Sequence, residues 1–242
     1  MEPNRQFNLR TGQMSDSQAH AAGIDVGLRA YMLKVYNYMA MGLALTGAVA
    51  FAASTSMELM QMIHGTPLKW VVMLAPLGFV FFMSAKVNSM APRTAQICFW
   101  TFGALMGLSL SYIFLAYTGA SIARVFFITA GTFAGMSLYG YTTKRDLSGF
   151  GGFLMMGLIG SIIAMVVNIF MQSEALHFVI SVVGVLVFVG LTAWDTQRIK
   201  SIYRAADGAA VAEKKAIMGA LTLYLDFINL FIMLLQLFGN RE

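Results

Sequence analysis

The chain has 242 residues, of which 58% are hydrophobic and only 11% carry a charge. Soluble domains carry about 25% charged residues, so this chain has too few polar side chains to cover a surface that faces water. Its net charge of +5 is not gathered into a basic cluster interleaved with stacking aromatic residues, which excludes nucleic acid as a partner. The composition therefore predicts an all-α polytopic membrane protein embedded in a lipid bilayer.

The first 17 residues differ in character from the rest of the chain. Residues 1–17 are polar and lack apolar periodicity, which predicts a disordered cytoplasmic tail. No cleavable signal peptide is expected, because the first long apolar run has no short hydrophobic region followed by a cleavage site of small residues. Residues 18–242 show no repeat of fixed period and are predicted to form a single transmembrane domain.

Seven apolar stretches follow the tail, each close to the 20 or so residues that a helix needs to cross a bilayer. For the last stretch, a segment that re-enters the membrane without crossing it is the alternative. The predicted spans are roughly residues 32–54, 69–87, 95–117, 121–142, 150–171, 176–197 and 216–238.

Lys and Arg residues concentrate at alternate ends of these spans. With the N-terminus in the cytoplasm, thirteen of the 16 Lys and Arg residues fall on inside segments and three on outside segments. Cytoplasmic loops are enriched in Lys and Arg, so this distribution predicts a cytoplasmic N-terminus. Small residues also indicate close helix packing, at Gly103-x-x-x-Gly107 and at Gly131-x-x-x-Gly135.

The last span carries an aspartate near its middle. On a helix, Thr222, Asp226, Asn229 and Gln236 fall within one narrow arc. An ionisable group at membrane depth costs several kcal/mol on insertion scales, so Asp226 is a candidate functional residue. The alternative is a structural aspartate that bonds to serine or threonine residues of other spans.

A second acid, Asp195, ends the apolar run of the sixth span in LTAWDTQRIK. One interpretation places it at the membrane interface, in a weak pair with Arg198 three residues later. The other brings it against Asp226, since consecutive spans joined by a short loop are antiparallel neighbours. Two carboxylates that meet in a low-dielectric core would share a proton, and when ionised they would offer hard oxygen ligands to calcium.

Contact between the two acids requires a particular arrangement of the last two spans. Asp195 lies about one turn from the cytoplasmic end of its span, whereas Asp226 lies some 16 Å of helix beyond Lys215. The last helix must therefore start on the cytoplasmic side of the membrane, or the two spans must be offset.

Three segments, TTKRDLSGFGGFL, AWDTQRIK and LYLDFINLFIMLLQLFG, resemble the Bax inhibitor-1 family of transmembrane Bax-inhibitor-motif proteins. The resemblance runs from about the first span to Gly239 and implies six helices around a central seventh. It also implies that Asp195 and Asp226 form the pH sensor of a calcium leak, with calcium as the transported ion and no cofactor. Some members carry an arginine near the end of the second span that bonds the sixth-span aspartate. Here Lys86 is the nearest basic residue, and it would make only a point-charge contact.

The resemblance and the polar stripe of the last span, which is the arc that contains Asp226, together predict the supporting residues Lys86, Arg198, Thr222 and Asn229. The expected location is a bacterial-type inner membrane. Some bacterial relatives instead modulate a membrane-bound protease, so a non-conducting regulator of a membrane partner is the alternative function. An enzyme is not expected, because the Gly-x-Gly-Asp element of intramembrane aspartyl proteases precedes neither aspartate. The oligomeric state stays open, with a monomer compatible with the sequence.

Overall fold

The computed structural model describes residues 16–240, and their side chains from residue 26 onward. The predicted disordered tail lies outside the described residues, except for its last two positions, with which the first helix begins. The described part of the chain is mainly helical and contains no strand. Its helices are α1 (Asp16–Ser54), α2 (Met57–His64), α3 (Leu68–Lys86), α4 (Pro92–Leu110), α5 (Ile113–Ala116), α6 (Gly119–Thr142), α7 (Ser148–Met171), α8 (Glu174–Ser201) and α9 (Ala209–Phe238), with a 3₁₀ turn at Val87–Ser89.

Seven of these helices are long and apolar enough to cross a membrane, as the sequence predicts: α1, α3, α4, α6, α7, α8 and α9. The last one crosses and does not re-enter, because α9 is continuous over 30 residues, a length of about 45 Å. Its far end meets the start of α6, where the Thr118 N–H donates to the Asn240 carbonyl at 3.2 Å. The Asn240 N–H in turn donates to Ser121 Oγ at 2.9 Å.

Hydrophilic side chains mark where several helices begin. Ser56, Thr118 and Ser173 are the N-cap residues of α2, α6 and α8, and each side-chain oxygen accepts from a backbone N–H three residues later. Such a bond satisfies one of the backbone donors left free at a helix start. Helix α7 ends before Gln172, whose φ of 50° places it in the left-handed conformation, which stops the helix.

Helix α9 is the centre of the bundle. In the most apolar 18-residue stretch of α9, 72% of the residues are buried, whereas the corresponding fraction is 44% or less in every other span. Helices α1, α4, α6 and α8 pack directly on α9, while α3 packs on α4 and α7 packs on α8. The predicted arrangement of six helices around a central seventh is therefore confirmed.

A buried polar contact fixes α9 against α1 and α4. The Thr46 hydroxyl of α1 donates to the Gly103 carbonyl of α4 at 2.8 Å, so it accepts from the Tyr224 hydroxyl of α9 at 2.7 Å. The Tyr224 ring is fully buried and packs edge-on against Phe99 and Phe102. Each polar atom in this contact thus has a partner, as burial in a low-dielectric interior requires.

The two predicted glycine motifs have different environments. At Gly103 and Gly107, α4 lies against α1, and a Cβ on Gly107 would lie only 2.7 Å from the Thr46 carbonyl oxygen. A Cβ on Gly131 or Gly135 would meet no atom of the described residues within 4 Å. The first motif therefore packs two helices closely, whereas the second faces open space and the close packing predicted there is wrong.

The two ends of the bundle differ in charge. The start of α1 and the α3–α4, α6–α7 and α8–α9 connections lie at one end, called the basic end below. Lys69 and Arg124 lie at the opposite end. The basic end carries Arg29, Lys34, Lys86, Arg93, Lys144, Arg145, Arg198, Lys200, Arg204, Lys214 and Lys215.

A carboxylate at the basic end anchors the start of α9. Glu213 accepts hydrogen bonds from Lys34 Nζ at 2.6 Å and from the Tyr38 hydroxyl at 2.5 Å, both on α1. It also accepts from Gln96 Nε2 of α4 at 2.9 Å. These contacts explain why α9 begins at Ala209, seven residues before the predicted boundary at residue 216.

Candidate functional site

The register of α8 against α9 sets the depth of the two aspartates. Ser181 Oγ of α8 donates to Gln236 Oε1 of α9 at 2.9 Å near the opposite end. Near the basic end, a Cβ on Gly219 of α9 would lie 3.0 Å from Cγ2 of Ile199 of α8. An antiparallel pair with this register brings the two aspartates to within about one helical turn of each other. Helix α9 starts at Ala209, and its first turns lie at the basic end beyond the last turn of α8, as contact between the two acids requires.

Asp195 and Asp226 lie together in the interior of the bundle. Asp195 is 6% exposed and Asp226 is 5% exposed, and the two side chains are neighbours, close enough for a hydrogen bond between their carboxyl groups once one of them is protonated. A hydrogen bond between two carboxyl groups needs a proton on one of them, since a carboxylate is an acceptor only. Asp226 Oδ2 is buried and receives no hydrogen bond from the described residues. The arrangement is therefore suited to holding one proton between two acids.

Arg198 contacts the pair from the basic end. Its Nη1 atom lies 3.9 Å from Asp195 Oδ1, which is a long ion pair, and 63% of the Arg198 side chain is exposed. The guanidinium group also lies over the Trp194 ring, 5.4 Å from its centroid. Both interpretations of Asp195 thus hold in part, because the carboxyl group is buried against Asp226 and yet within reach of Arg198. An ion pair so exposed contributes little to stability.

A cavity of about 460 Å³ adjoins the carboxyl pair. Helices α3 and α7 form its sides, and α4, α8 and α9 also line it. Apolar side chains, including Met73, Leu77 and Leu158, cover most of the wall. A cavity with a largely apolar lining and a few convergent polar groups is typical of a ligand or ion site.

Three of the four residues in the polar stripe of α9 face this cavity, and the fourth, Gln236, does not. Thr222, Asp226 and Asn229 all line it, together with Asp195. The Thr222 hydroxyl donates to the Met218 carbonyl at 3.1 Å, and Asn229 Nδ2 donates to the Leu225 carbonyl at 2.8 Å. Because their hydrogens are used on the helix backbone, the oxygens of both side chains remain free to accept. The cavity therefore presents oxygen ligands from three side-chain types.

Lys86 does not join this group. It is exposed at the end of α3, does not line the cavity, and forms no ion pair with any described residue. Among the α3 residues that line the cavity is Pro76, which is buried inside the helix. A proline lacks the N–H that would bond to the carbonyl four residues earlier, so the Val72 carbonyl loses its usual donor. An internal proline in an apolar span is visible in the sequence, but it was not part of the predicted site.

A hydrogen-bonded chain next to the pair was also not predicted. The Thr196 hydroxyl donates to the Thr192 carbonyl of its own helix and lies 2.9 Å from Ser137 Oγ of α6. Ser137 Oγ lies 2.6 Å from the Tyr36 hydroxyl of α1. This chain joins α1 and α6 to α8 at the residue that follows Asp195. Single hydroxyl groups within apolar spans carry no spacing signal, so only the packing of three helices identifies them.

Seven membrane-crossing helices with a carboxyl pair buried beside the central one define an α-helical integral membrane protein with an ionisable core. The family model described as Inhibitor of apoptosis-promoting Bax1 matches residues 28–242 of this chain. The chain therefore belongs to the Bax inhibitor-1 family, as the resemblance of its three segments indicates.

Relatives align over most of both chains. A protein of Rickettsia prowazekii is 51% identical over 218 residues, which cover 90% of this chain and 92% of the relative. The inner membrane protein YbhL of Escherichia coli strain K12 is 48% identical over 219 residues, covering 89% and 94%. A membrane protein of Streptococcus pyogenes serotype M1 is 37% identical over 221 residues, covering 90% and 96%. This chain is thus an integral multi-pass membrane protein with a bacterial inner membrane protein among its relatives.

Proposed function

We propose that the protein is a pH-sensitive calcium leak of a bacterial inner membrane, in which protonation of Asp195 and Asp226 controls the passage of the ion. The observation that carries the proposal is the contact between two buried carboxyl groups on α8 and α9 at the wall of an intramembrane cavity. With one proton shared, the two side chains hold α8 and α9 together. Without it, two negative charges repel each other in a low-dielectric interior and attract a cation instead.

The ligand set suits an ion that passes through rather than one that stays. Tight calcium sites supply six to eight oxygen ligands, usually with several carboxylates. No group of three or more His, Cys, Asp or Glu side chains that could hold a metal occurs among the described residues. Two carboxylates with the oxygens of Thr222 and Asn229 give a weak site, from which an ion can leave. No resident cofactor is part of the proposal.

The test is calcium flux into proteoliposomes that contain the purified protein alone, measured between pH 6 and pH 8. Wild type is expected to pass calcium with a rate that changes across this range. Asp195→Asn and Asp226→Asn keep a polar side chain of the same size but cannot titrate, so each variant should lose the pH response. Glu174→Gln is the matched control, since it removes an exposed carboxylate from the other end of α8.

Two results would contradict the mechanism. Calcium flux with an unchanged pH response in both Asn variants would show that the pair is not the sensor. Absence of flux from correctly folded wild type at every pH would favour the alternative, a non-conducting regulator that acts on a membrane partner such as a membrane-bound protease.

A further inference from the structure

A second cavity, of about 450 Å³, lies at the basic end between the α6–α7 connection and the end of α8. Its lining contains three cationic side chains, Lys144, Arg145 and Arg198, and one carboxylate, Asp146. The charged lining is therefore positive by two charges. This cavity is separate from the one that adjoins the aspartate pair, although Arg198 is common to the two regions.

The connection that carries two of these cations is held in place by α8. Gln197 Oε1 accepts from the Leu147 N–H at 2.9 Å, and Gln197 Nε2 donates to the Arg145 carbonyl at 2.8 Å. Asp146 Oδ1 accepts from the Ser148 N–H at 2.9 Å. Hydrogen bonds from the Ser148 side chain and backbone keep the pKa of Asp146 below its usual range. The one carboxylate of the cavity is thus engaged at the start of α7, while the backbone beneath the cations is fixed.

The start of α7, whose Ser148 lines the cavity, also carries exposed apolar side chains. Trp194 lines the cavity too, and the Trp194 ring packs onto α7 at Gly151, where any side chain would clash with it. On α7, Phe150 is 50% exposed and Phe153 is 64% exposed. Tryptophan is enriched at membrane interfaces, so the cavity lies at the level of lipid headgroups with apolar side chains next to it. A ligand that fits both features has an anionic head and an apolar tail.

We propose that this cavity binds the headgroup of an anionic phospholipid, with its phosphate against Lys144, Arg145 and Arg198 and its acyl chains along α7. Basic pockets between transmembrane helices are a known way to bind anionic headgroups. Guanidinium groups bind phosphate oxygens in a bidentate manner, and two of the three cations are arginines. A soluble anion would use the same cations but would gain nothing from the exposed phenylalanines.

The bound lipid also reaches the aspartate pair through Arg198. This guanidinium group lies near both the Trp194 ring and Asp195. Its distance of 3.9 Å from Asp195 Oδ1 is long for an ion pair, so a phosphate would draw it away. The phosphate would then bind the Arg198 guanidinium group, and Asp195 would lose the positive charge that lies near it when no lipid is bound. This consequence rests on the proposed function, whereas the binding site itself does not.

Binding is tested on the full chain in detergent micelles with a brominated phosphatidylglycerol, whose bromine atoms quench nearby tryptophan fluorescence. The protein has three tryptophans, so the Trp194→Phe variant identifies the quenched fraction that belongs to the site. The paired variant Lys144→Gln/Arg145→Gln should bind roughly fivefold more weakly for each cation removed. The control, Arg93→Gln/Arg204→Gln, removes two exposed cations of the same end that do not line the cavity.

Several outcomes would overturn the site. These are equal quenching by brominated phosphatidylcholine, an unchanged affinity in the Lys144→Gln/Arg145→Gln variant, and an equal loss in the control. Displacement of the lipid by inorganic phosphate at similar concentrations would instead identify a site for soluble anions. Circular dichroism of each variant verifies the fold. Because quenching is measured without any flux, the calcium leak can fail while the lipid site stands, and the reverse.

Discussion

At the scale of single residues, two buried polar atoms lack a hydrogen-bond partner among the described residues: the Tyr31 hydroxyl oxygen and Asp226 Oδ2. Thr46, Thr196 and Tyr224 all have hydrogen-bond partners in the interior. Most buried polar groups in proteins are paired, and one that is not needs an explanation. For Asp226, the proposed function would supply that explanation, because there the side chain shares a proton with Asp195 or meets a passing cation.

His64 gives a prediction about pH and stability. It ends α2 at the opposite end of the bundle, where its Nε2 lies 2.9 Å from Ser111 Oγ of the α4–α5 connection. Burial lowers the pKa of His64 from its usual value. Between the usual pKa, about 6.5, and the lower folded value, the unfolded chain binds more protons than the folded one. Stability should therefore fall as the pH decreases through this window.

The measurement is thermal unfolding in detergent at a series of pH values from 7.5 to 5. His64→Gln keeps a donor for Ser111 but cannot titrate, so its melting temperature should fall less than that of wild type over this range. A variant whose melting temperature follows that of wild type at every pH would show that His64 is as hydrated in the folded state as in the unfolded one.

The candidate site was partly predictable from residue types and spacing. An aspartate inside an apolar span is costly wherever the helix packs, so Asp226 stands out without any structure. Asp195 is ambiguous, because the sequence places it near a span end beside Arg198. The register that pairs the two depends on contacts such as that of Gly219 with Ile199. Such contacts between distant side chains have no signature in a single sequence.

At the scale of elements, glycine packing distinguishes two motifs that look alike in the sequence. A Cβ on Gly107 would be 2.7 Å from the Thr46 carbonyl oxygen and 2.8 Å from Cβ of Val49, so Gly107→Ala must push α4 from α1. Overpacking of this kind costs about 1–3 kcal/mol. Gly131→Ala meets nothing within 4 Å and should be neutral, or stabilising through its higher helix propensity.

The two variants are compared by unfolding in mixed detergent, with equal expression and membrane insertion verified first. The expected result is a clear loss of stability for Gly107→Ala and none for Gly131→Ala. Equal effects of the two substitutions would mean that the second motif also packs against a helix, for instance against that of another copy of the chain.

Hydropathy identifies the helices well but misjudges where α9 begins. The stretch AAVAEKKAIM contains Glu213, Lys214 and Lys215, and three consecutive charges are typical of a loop between spans. In the structure this stretch is the first part of α9, held by bonds from Glu213 to α1 and α4 and from Lys215 Nζ to Asp207 at 2.6 Å. The helix continues because each charge has a partner outside this stretch. Hydropathy averaged along the sequence cannot detect such partners.

At the scale of the whole molecule, burial is uneven around the central helix. In the most apolar 18-residue stretches of α3 and α7, 17% and 11% of the residues are buried, whereas the fraction in α9 is 72%. The cavity beside the aspartate pair lies between these two least buried helices. Helices with little buried surface have the lowest cost of displacement, so we expect α3 and α7, rather than α9, to be the elements whose movement changes the cavity.

The distribution of charge between the two ends predicts the orientation in the membrane. Eleven of the described Lys and Arg residues lie at the basic end and two at the opposite end, so the basic end should face the cytoplasm. Two exposed alanines, Ala206 in the α8–α9 connection and Ala175 at the start of α8, offer matched positions for a single cysteine. Replacement of the native thiol by Cys98→Ala provides the background.

In intact spheroplasts, a maleimide that does not cross membranes should label Ala175→Cys, and it should label Ala206→Cys only after permeabilisation. The reverse pattern would place the basic end outside and would overturn the cytoplasmic N-terminus. Labelling of both positions in intact cells would indicate that the chain inserts in two orientations. The expected pattern would place the proposed lipid site in the inner leaflet.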